Sequence, residues 1–258
     1  MVSKKKQDKN PILIITKQVE IETPNFVKGD LAQYIIERIE KRISKEYGNN
    51  PSLSISNYDP KSLMLTGANS FRDILIHEEL KKIDSRLGIA TLADLERILE
   101  SGNFAFEGTY ENPALVLRTA DDSYGKNNYL AKNLAKQIGI VIKNPLMINL
   151  TELRLKNDDK SSYGLCPKLR KDAKIIEAPQ LAYENNGKKF SKTDKNGLPI
   201  FDEKGNRTLY TRQDGLSRLD LDGSLNVLSG WDNLDDSDSG GRVVVVSDAV
   251  AQKSKRRN

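Results

Sequence analysis

Two short aspartate clusters near the C-terminus hold the residue types best suited to chemistry. Asp220-Leu221-Asp222-Gly223 and Asp235-Asp236-Ser237-Asp238-Ser239-Gly240 both contain an Asp-x-Asp spacing that can present oxygens to a hard cation. Neither completes a calcium loop. The sixth position counted from Asp220 is Leu225, where glycine is required, and the twelfth from Asp236 is Ser247 in place of glutamate. Turn chemistry uses the same residues, because Asp and Ser accept backbone N–H groups and Gly takes positive φ. A divalent-metal hydrolase or nuclease on Asp220, Asp222, Asp235, Asp236 and Asp238 would need these carboxylates to converge. If they splay, they form an interaction loop, with Trp231 as the anchor for a protein partner.

Nucleophilic chemistry has little to work with. The chain has one histidine and one cysteine. His77 has no partner at zincin spacing, since position 81 is Lys81. Cys166 lacks a second cysteine for a C-x-x-C motif, and a packed, inert thiol is expected. The polar stretch Ala120–Asn128 precedes a helical pattern and carries Lys126, so a helix N-terminus could face an anion there. It has no glycine-rich phosphate motif, and Asp121 and Asp122 oppose a phosphate.

Charge points to the ends of the chain. Of 41 Lys and Arg against 36 Asp and Glu, Lys4, Lys5, Lys6, Lys9, Lys253, Lys255, Arg256 and Arg257 lie in the first ten and last six residues. Residues 11–252 then hold 33 basic and 35 acidic side chains. Such basic segments can neutralise phosphates and release counterions, giving sequence-blind contact with nucleic acid or another polyanion. No apolar run approaches the roughly 18–20 residues a membrane span needs, so no membrane partner is expected, and the lone cysteine suits the cytoplasm.

The elements that must position these residues follow from periodicity. Ile12–Thr16 reads as a strand. Leu31, Ile35, Ile36, Ile39 and Ile43 recur at helical spacing behind Asp30 as a cap. Phe71 to Leu87 forms a second helix stopped by Gly88, and Thr91 with Asp94 opens a third through a variant capping box. Arg86-Leu-Gly-Ile-Ala-Thr-Leu-Ala-Asp-Leu95 resembles the tight joints of helix-hairpin-helix DNA-binding domains, which implies a helical turn near DNA at this point.

Ala114–Thr119, the helix around Leu130, Leu134 and Ile138, and a strand at Ile140–Ile142 or Leu146–Leu150 suggest one βαβ crossover. Beyond Thr151, turn signals at Asn185-Asn-Gly187, Asp194–Gly197 and Asp202–Gly205 suit successive hairpins. Val243–Val246 reads as a strand buried on both faces. The expected class is α+β: a helix-rich N-terminal half with one βαβ unit, then an antiparallel β-rich C-terminal half. The expected organisation is a basic, disordered tail at 1–10, a mixed region at 11–150, a β-rich region at 151–248 that forms its own domain or joins the first, and a basic tail at 249–258. The functional expectation is a non-enzymatic binding or scaffolding protein needing no cofactor. A metal-dependent hydrolase or nuclease and a structural assembly protein are the alternatives.

Overall fold

The computed structural model describes residues 23–53, 57–102, 106 and 108–247. The strand expected at Ile12–Thr16 and the eight terminal Lys and Arg residues lie outside the described residues. The class is mixed α and β. Four α-helices are described: α1 (Gly29–Glu46), α2 (Ser70–Ile83), α3 (Leu92–Ser101) and α4 (Gly125–Ile138).

Local chemistry explains where the helices begin and end. Asn69 caps α2, its side chain accepting from the N–H groups of Phe71 and Arg72. Thr91 and Asp94 close a full capping box on α3. Gly102 and Gly139 end α3 and α4 in the left-handed conformation that favours glycine. Asp30 is not the cap of α1. Lys28 holds that position, and Asp30 sits inside the first turn, where its charge suits the helix dipole.

A nine-stranded sheet forms the centre. Its strands are β5 (Tyr110–Leu117), β6 (Leu146–Asn149), β9 (Ile175–Glu177), β10 (Lys189–Thr193), β11 (Pro199–Phe201), β12 (Arg207–Thr211), β13 (Leu216–Leu221), β14 (Val227–Ser229) and β15 (Gly241–Arg242). The order is β11-β10-β12-β14-β13-β5-β6-β9, with β15 on β5. Strands from both sides of residue 150 thus share one sheet.

Alternation along the strands divides the apolar residues between two cores. Leu115 and Leu117 pack with Ile35, Ile74 and Leu130 of α1, α2 and α4. Ala114 and Val116 pack with Leu92, Leu95 and Ile98 of α3. A second sheet places β16 (Val244–Ser247) between β1 (Asn25–Phe26) and β4 (Leu87–Ile89), and two separate pairs join β2 (Asn57–Asp59) to β3 (Met64–Thr66) and β7 (Leu153–Asn157) to β8 (Leu165–Leu169). The central position of β16 explains its run of valines, of which Val244 and Val245 are buried.

Three topological expectations are corrected. First, β5 and β6 flank α4 but pair antiparallel, so the unit is not a parallel βαβ crossover. Leu117, the last residue of β5, pairs with Leu146, the first of β6, so the chain re-enters the sheet at the end where it left. Second, the C-terminal half is not wholly antiparallel. The turn at Asp222 sends β14 back into the gap between β12 and β13, where it pairs parallel to β12 and antiparallel to β13. The 194–197 turn does join an antiparallel pair, β10 and β11, whereas β12 returns to the other edge of β10.

Third, α2 stops at Ile83, and Leu87-Gly88-Ile89 is a strand paired with β16. The likeness to a helix-hairpin-helix joint is therefore limited to the capped helix start at Thr91. Glycine at 88 serves packing: a Cβ there would come 3.1 Å from Cε1 of His77.

Candidate functional site

Asp220, Asp222, Asp236, Asp238 and Trp231 surround one open cleft of about 480 Å³ at the end of β13. Strand alternation builds its floor. Leu219 and Leu221 point into the core, which turns Arg218 and Asp220 to the other face. Arg218 Nε is 3.0 Å from Asp220 Oδ2, and its Nη1 donates to the Asp236 carbonyl at 2.7 Å. The guanidinium carbon lies 5.7 Å from the Tyr110 ring centre and 5.9 Å from that of Trp231, so both rings flank a cation. Trp231 is 53% exposed.

Asp220 is buried at 2% exposure, and its Oδ1 has no hydrogen-bond partner among the described residues. Burial pushes its carboxyl up to about 7, against the opposing pull of Arg218. The Tyr110 hydroxyl accepts from the Asp238 backbone N–H at 3.0 Å, which ties the acidic loop to β5, and burial raises its pKa.

The remaining aspartates divide by role. Asp222 Oδ1 accepts from the N–H groups of Ser224 and Asn226, both at 2.8 Å, closing its own turn. Asp238 Oδ1 likewise accepts from Gly240 at 2.6 Å. Asp222 Oδ2 also accepts from Asn226 Nδ2 at 3.2 Å, and Asp222 and Asp238 line the cleft with Asp236.

Asp235 is not part of the cleft. It faces Lys126, 2.9 Å away, and accepts from Ser52 Oγ at 2.7 Å. Among the described residues, no group of three His, Cys, Asp or Glu side chains is placed to hold a metal ion. The five aspartates named from sequence thus do not form one carboxylate cluster.

The other sequence candidates take structural positions. Lys126 sits 4.2 Å over the Tyr163 ring as well as on Asp235, so its charge is engaged away from any anion at the α4 N-terminus. Asp122 organises the preceding loop. Its Oδ1 accepts from the Tyr124 N–H and from Arg212, and its Oδ2 accepts from the Leu216 N–H at 2.6 Å. Gly215 is required beside it: its φ is +67°, and a Cβ would come 2.1 Å from the Asp122 carboxyl carbon.

His77 is buried, its Nδ1 has no hydrogen-bond partner among the described residues, and desolvation lowers its pKa to about 3, assisted by Arg170 and Lys81. Cys166 is buried in β8 (Leu165–Leu169), and burial raises its thiol pKa despite Lys168. A thiol reagent is therefore expected to label Cys166 only on unfolding. Stoichiometric labelling of the native protein within minutes would contradict this placement.

Charge buried behind the cleft escaped the sequence reading. Asp73 of α2 and Glu111 and Asn112 of β5 line a void of about 10 Å³, roughly the space one water needs. Asp73 Oδ1, both Glu111 carboxyl oxygens and Asn112 Oδ1 have no hydrogen-bond partner among the described residues. Desolvation, with each acid disfavouring charge on its neighbours, raises both carboxyls well above the ordinary range. The polar-apolar alternation Arg218-Leu-Asp220-Leu-Asp222 was the available signal for the cleft floor. No comparable pattern marks Asp73 or Glu111. No family model, curated protein or solved structure matches the chain.

Proposed function

We propose that this chain is a non-enzymatic binding protein whose recognition site is the cleft between Tyr110, Arg218 and Trp231. The observation that carries this reading is the half-exposed Trp231 on the wall of an open cleft whose floor is a buried ion pair. Large rigid aromatics beside a fixed charge are what partner anchors are made of. The engagement of Asp222 and Asp238 in their own turns and of Asp235 with Lys126 supports binding over metal-assisted hydrolysis, and calorimetric titration with Mg²⁺, Mn²⁺ and Ca²⁺ is the test of that alternative. Among the described residues no helix is long and apolar enough to cross a membrane. The proposed location is the cytoplasm, with the single free cysteine in its support.

The basic segments carry a second part of the proposal: contact with nucleic acid or another polyanion through Lys4, Lys5, Lys6, Lys9, Lys253, Lys255, Arg256 and Arg257. Its support is the concentration of positive charge there, against a body of slightly negative balance. A labelled DNA or RNA oligomer should bind the full chain with steep salt dependence. Replacing all eight residues by glutamine should abolish it. Binding left intact by the eightfold variant would overturn this part of the reading.

A further inference from the structure

We propose that the cleft takes a basic side chain of a peptide partner, its guanidinium or ammonium group set between the Trp231 ring and the carboxylates of Asp220, Asp236 and Asp238. This inference rests on the cleft being a recognition site, as argued above.

Three independent observations converge on this chemistry. The first is charge. Among the described residues, Asp220, Asp222, Asp236 and Asp238 line the cleft against one cation, Arg218, so an anionic occupant meets repulsion and a cation meets attraction. The second is the unsatisfied acceptor. Asp220 is 2% exposed, its Oδ2 is engaged by Arg218, and its Oδ1 has no partner among the described residues. A buried acceptor in that position is stabilised by a donor arriving from the cleft.

The third is the aromatic wall. Tyr110 and Trp231 already flank the guanidinium of Arg218 at stacking distance, which shows that these rings accept a planar cation. The exposed half of Trp231 offers the same π surface to a second one. Leu228, which also lines the cleft, suits the methylene stem of a lysine or arginine.

Trp231 is the only tryptophan in the chain, so its emission reports on the cleft alone. The full chain would be titrated with N-acetylated, C-amidated tetra-arginine, followed by Trp231 fluorescence and by calorimetry. Tetraglutamate and a neutral trisaccharide serve as the opposing probes. Tetra-arginine is expected to change the emission saturably, and tetraglutamate to leave it unchanged.

The variant pair Asp236→Asn with Asp238→Asn should weaken tetra-arginine binding between about three- and tenfold, as expected for two exposed charge pairs. Asp121→Asn, at an exposed position outside the cleft lining, should leave binding unaltered. Trp231→Ala, read by calorimetry, should weaken it, and Trp231→Phe should recover most of the loss. If tetraglutamate or the sugar binds and tetra-arginine does not, the cation assignment fails while the cleft stands as a recognition site. If tetra-arginine binds but ignores every cleft variant, the assignment also fails. If no probe moves Trp231 or releases heat, both the assignment and the recognition site are overturned.

Discussion

Replacing Glu96 by alanine is expected to lower the unfolding free energy by about 3–5 kcal/mol. Glu96 of α3 accepts both arms of the Arg207 fork, at 2.7 and 2.6 Å, and both side chains are buried. Arg207 lies at the start of β12, with its guanidinium 4.5 Å over the Phe190 ring. Removing the carboxylate leaves a buried cation with no anionic partner, the most damaging way to break an ion pair.

Replacing both residues by apolar ones of similar volume, Glu96→Leu with Arg207→Met, is expected to cost less than Glu96→Ala alone. The double variant removes the cation together with the need for its partner. Chemical denaturation of the wild type, the single variant and the double variant checks both statements. A loss under 1 kcal/mol for Glu96→Ala, or a double variant less stable than it, would show that the pair is not confined by burial as the structure has it.

The second large effect is a dependence on pH, with a sign set by buried acids. A carboxyl whose folded pKa lies above its unfolded value binds its proton more tightly in the native state. Its stabilising contribution is therefore complete below the unfolded pKa and is lost as pH rises through the folded one. For Asp220 that window runs from about 4 to about 7, worth on the order of 4 kcal/mol if nothing compensates. Asp73 and Glu111 act in the same direction. His77 acts against them: held at about 3 by burial, it loses stability as pH falls below its ordinary range.

Whole-protein melting curves mix these limbs, so the comparison must be between variants. Asp73 faces Arg72, Asn112, Asp220 and Arg218, and Glu111 faces Asp73 and Arg242. The double variant Asp73→Asn, Glu111→Gln keeps shape and removes the titrating groups. Its melting temperature should match the wild type near pH 4 and exceed it progressively toward pH 8. A difference independent of pH, or one that grows toward acid, would mean these carboxyls are ionised in the native protein.

What could be read from the residues, and what could not, follows a physical division. Helix ends were legible where a side chain or a glycine decides them locally, as at Asn69, Thr91 with Asp94, Gly102 and Gly139. The strand at Leu87-Gly88-Ile89 was not, because its identity comes from pairing with Val245 and Val246, far along the chain. Its own residues continue a helical period and then offer a glycine stop. The parallel placement of β14 beside β12 is likewise set by which gap remains open when the chain returns.

At the cleft, Trp231 and the aspartates could be named from residue type and spacing. Tyr110 joined them only through the fold, across a separation that no local pattern spans, whereas Arg218 lay within the alternation that runs through Asp220. Nothing in the sequence neighbours of Asp73, Glu111, Glu96 and Arg207 announces their burial. The expected set of five aspartates lost Asp235 for the same reason: its counterpart, Lys126, is contributed by α4.

The placement of β16 has a consequence for how this molecule comes into being. Val244 and Val245 pair with Phe26 and Asn25 on one side, and Val245, Val246 and Ser247 pair with Ile89, Gly88 and Leu87 on the other. Until residue 247 has left the ribosome, β1 and β4 have no strand between them, and β5 waits a hundred residues for β13. Helices α1 to α3 can form early, but their sheets cannot close, so closure over long sequence separations should govern the folding rate. A nascent chain stalled before Gly241 would present two unpaired strand edges and an uncovered apolar face, the state most in need of a chaperone.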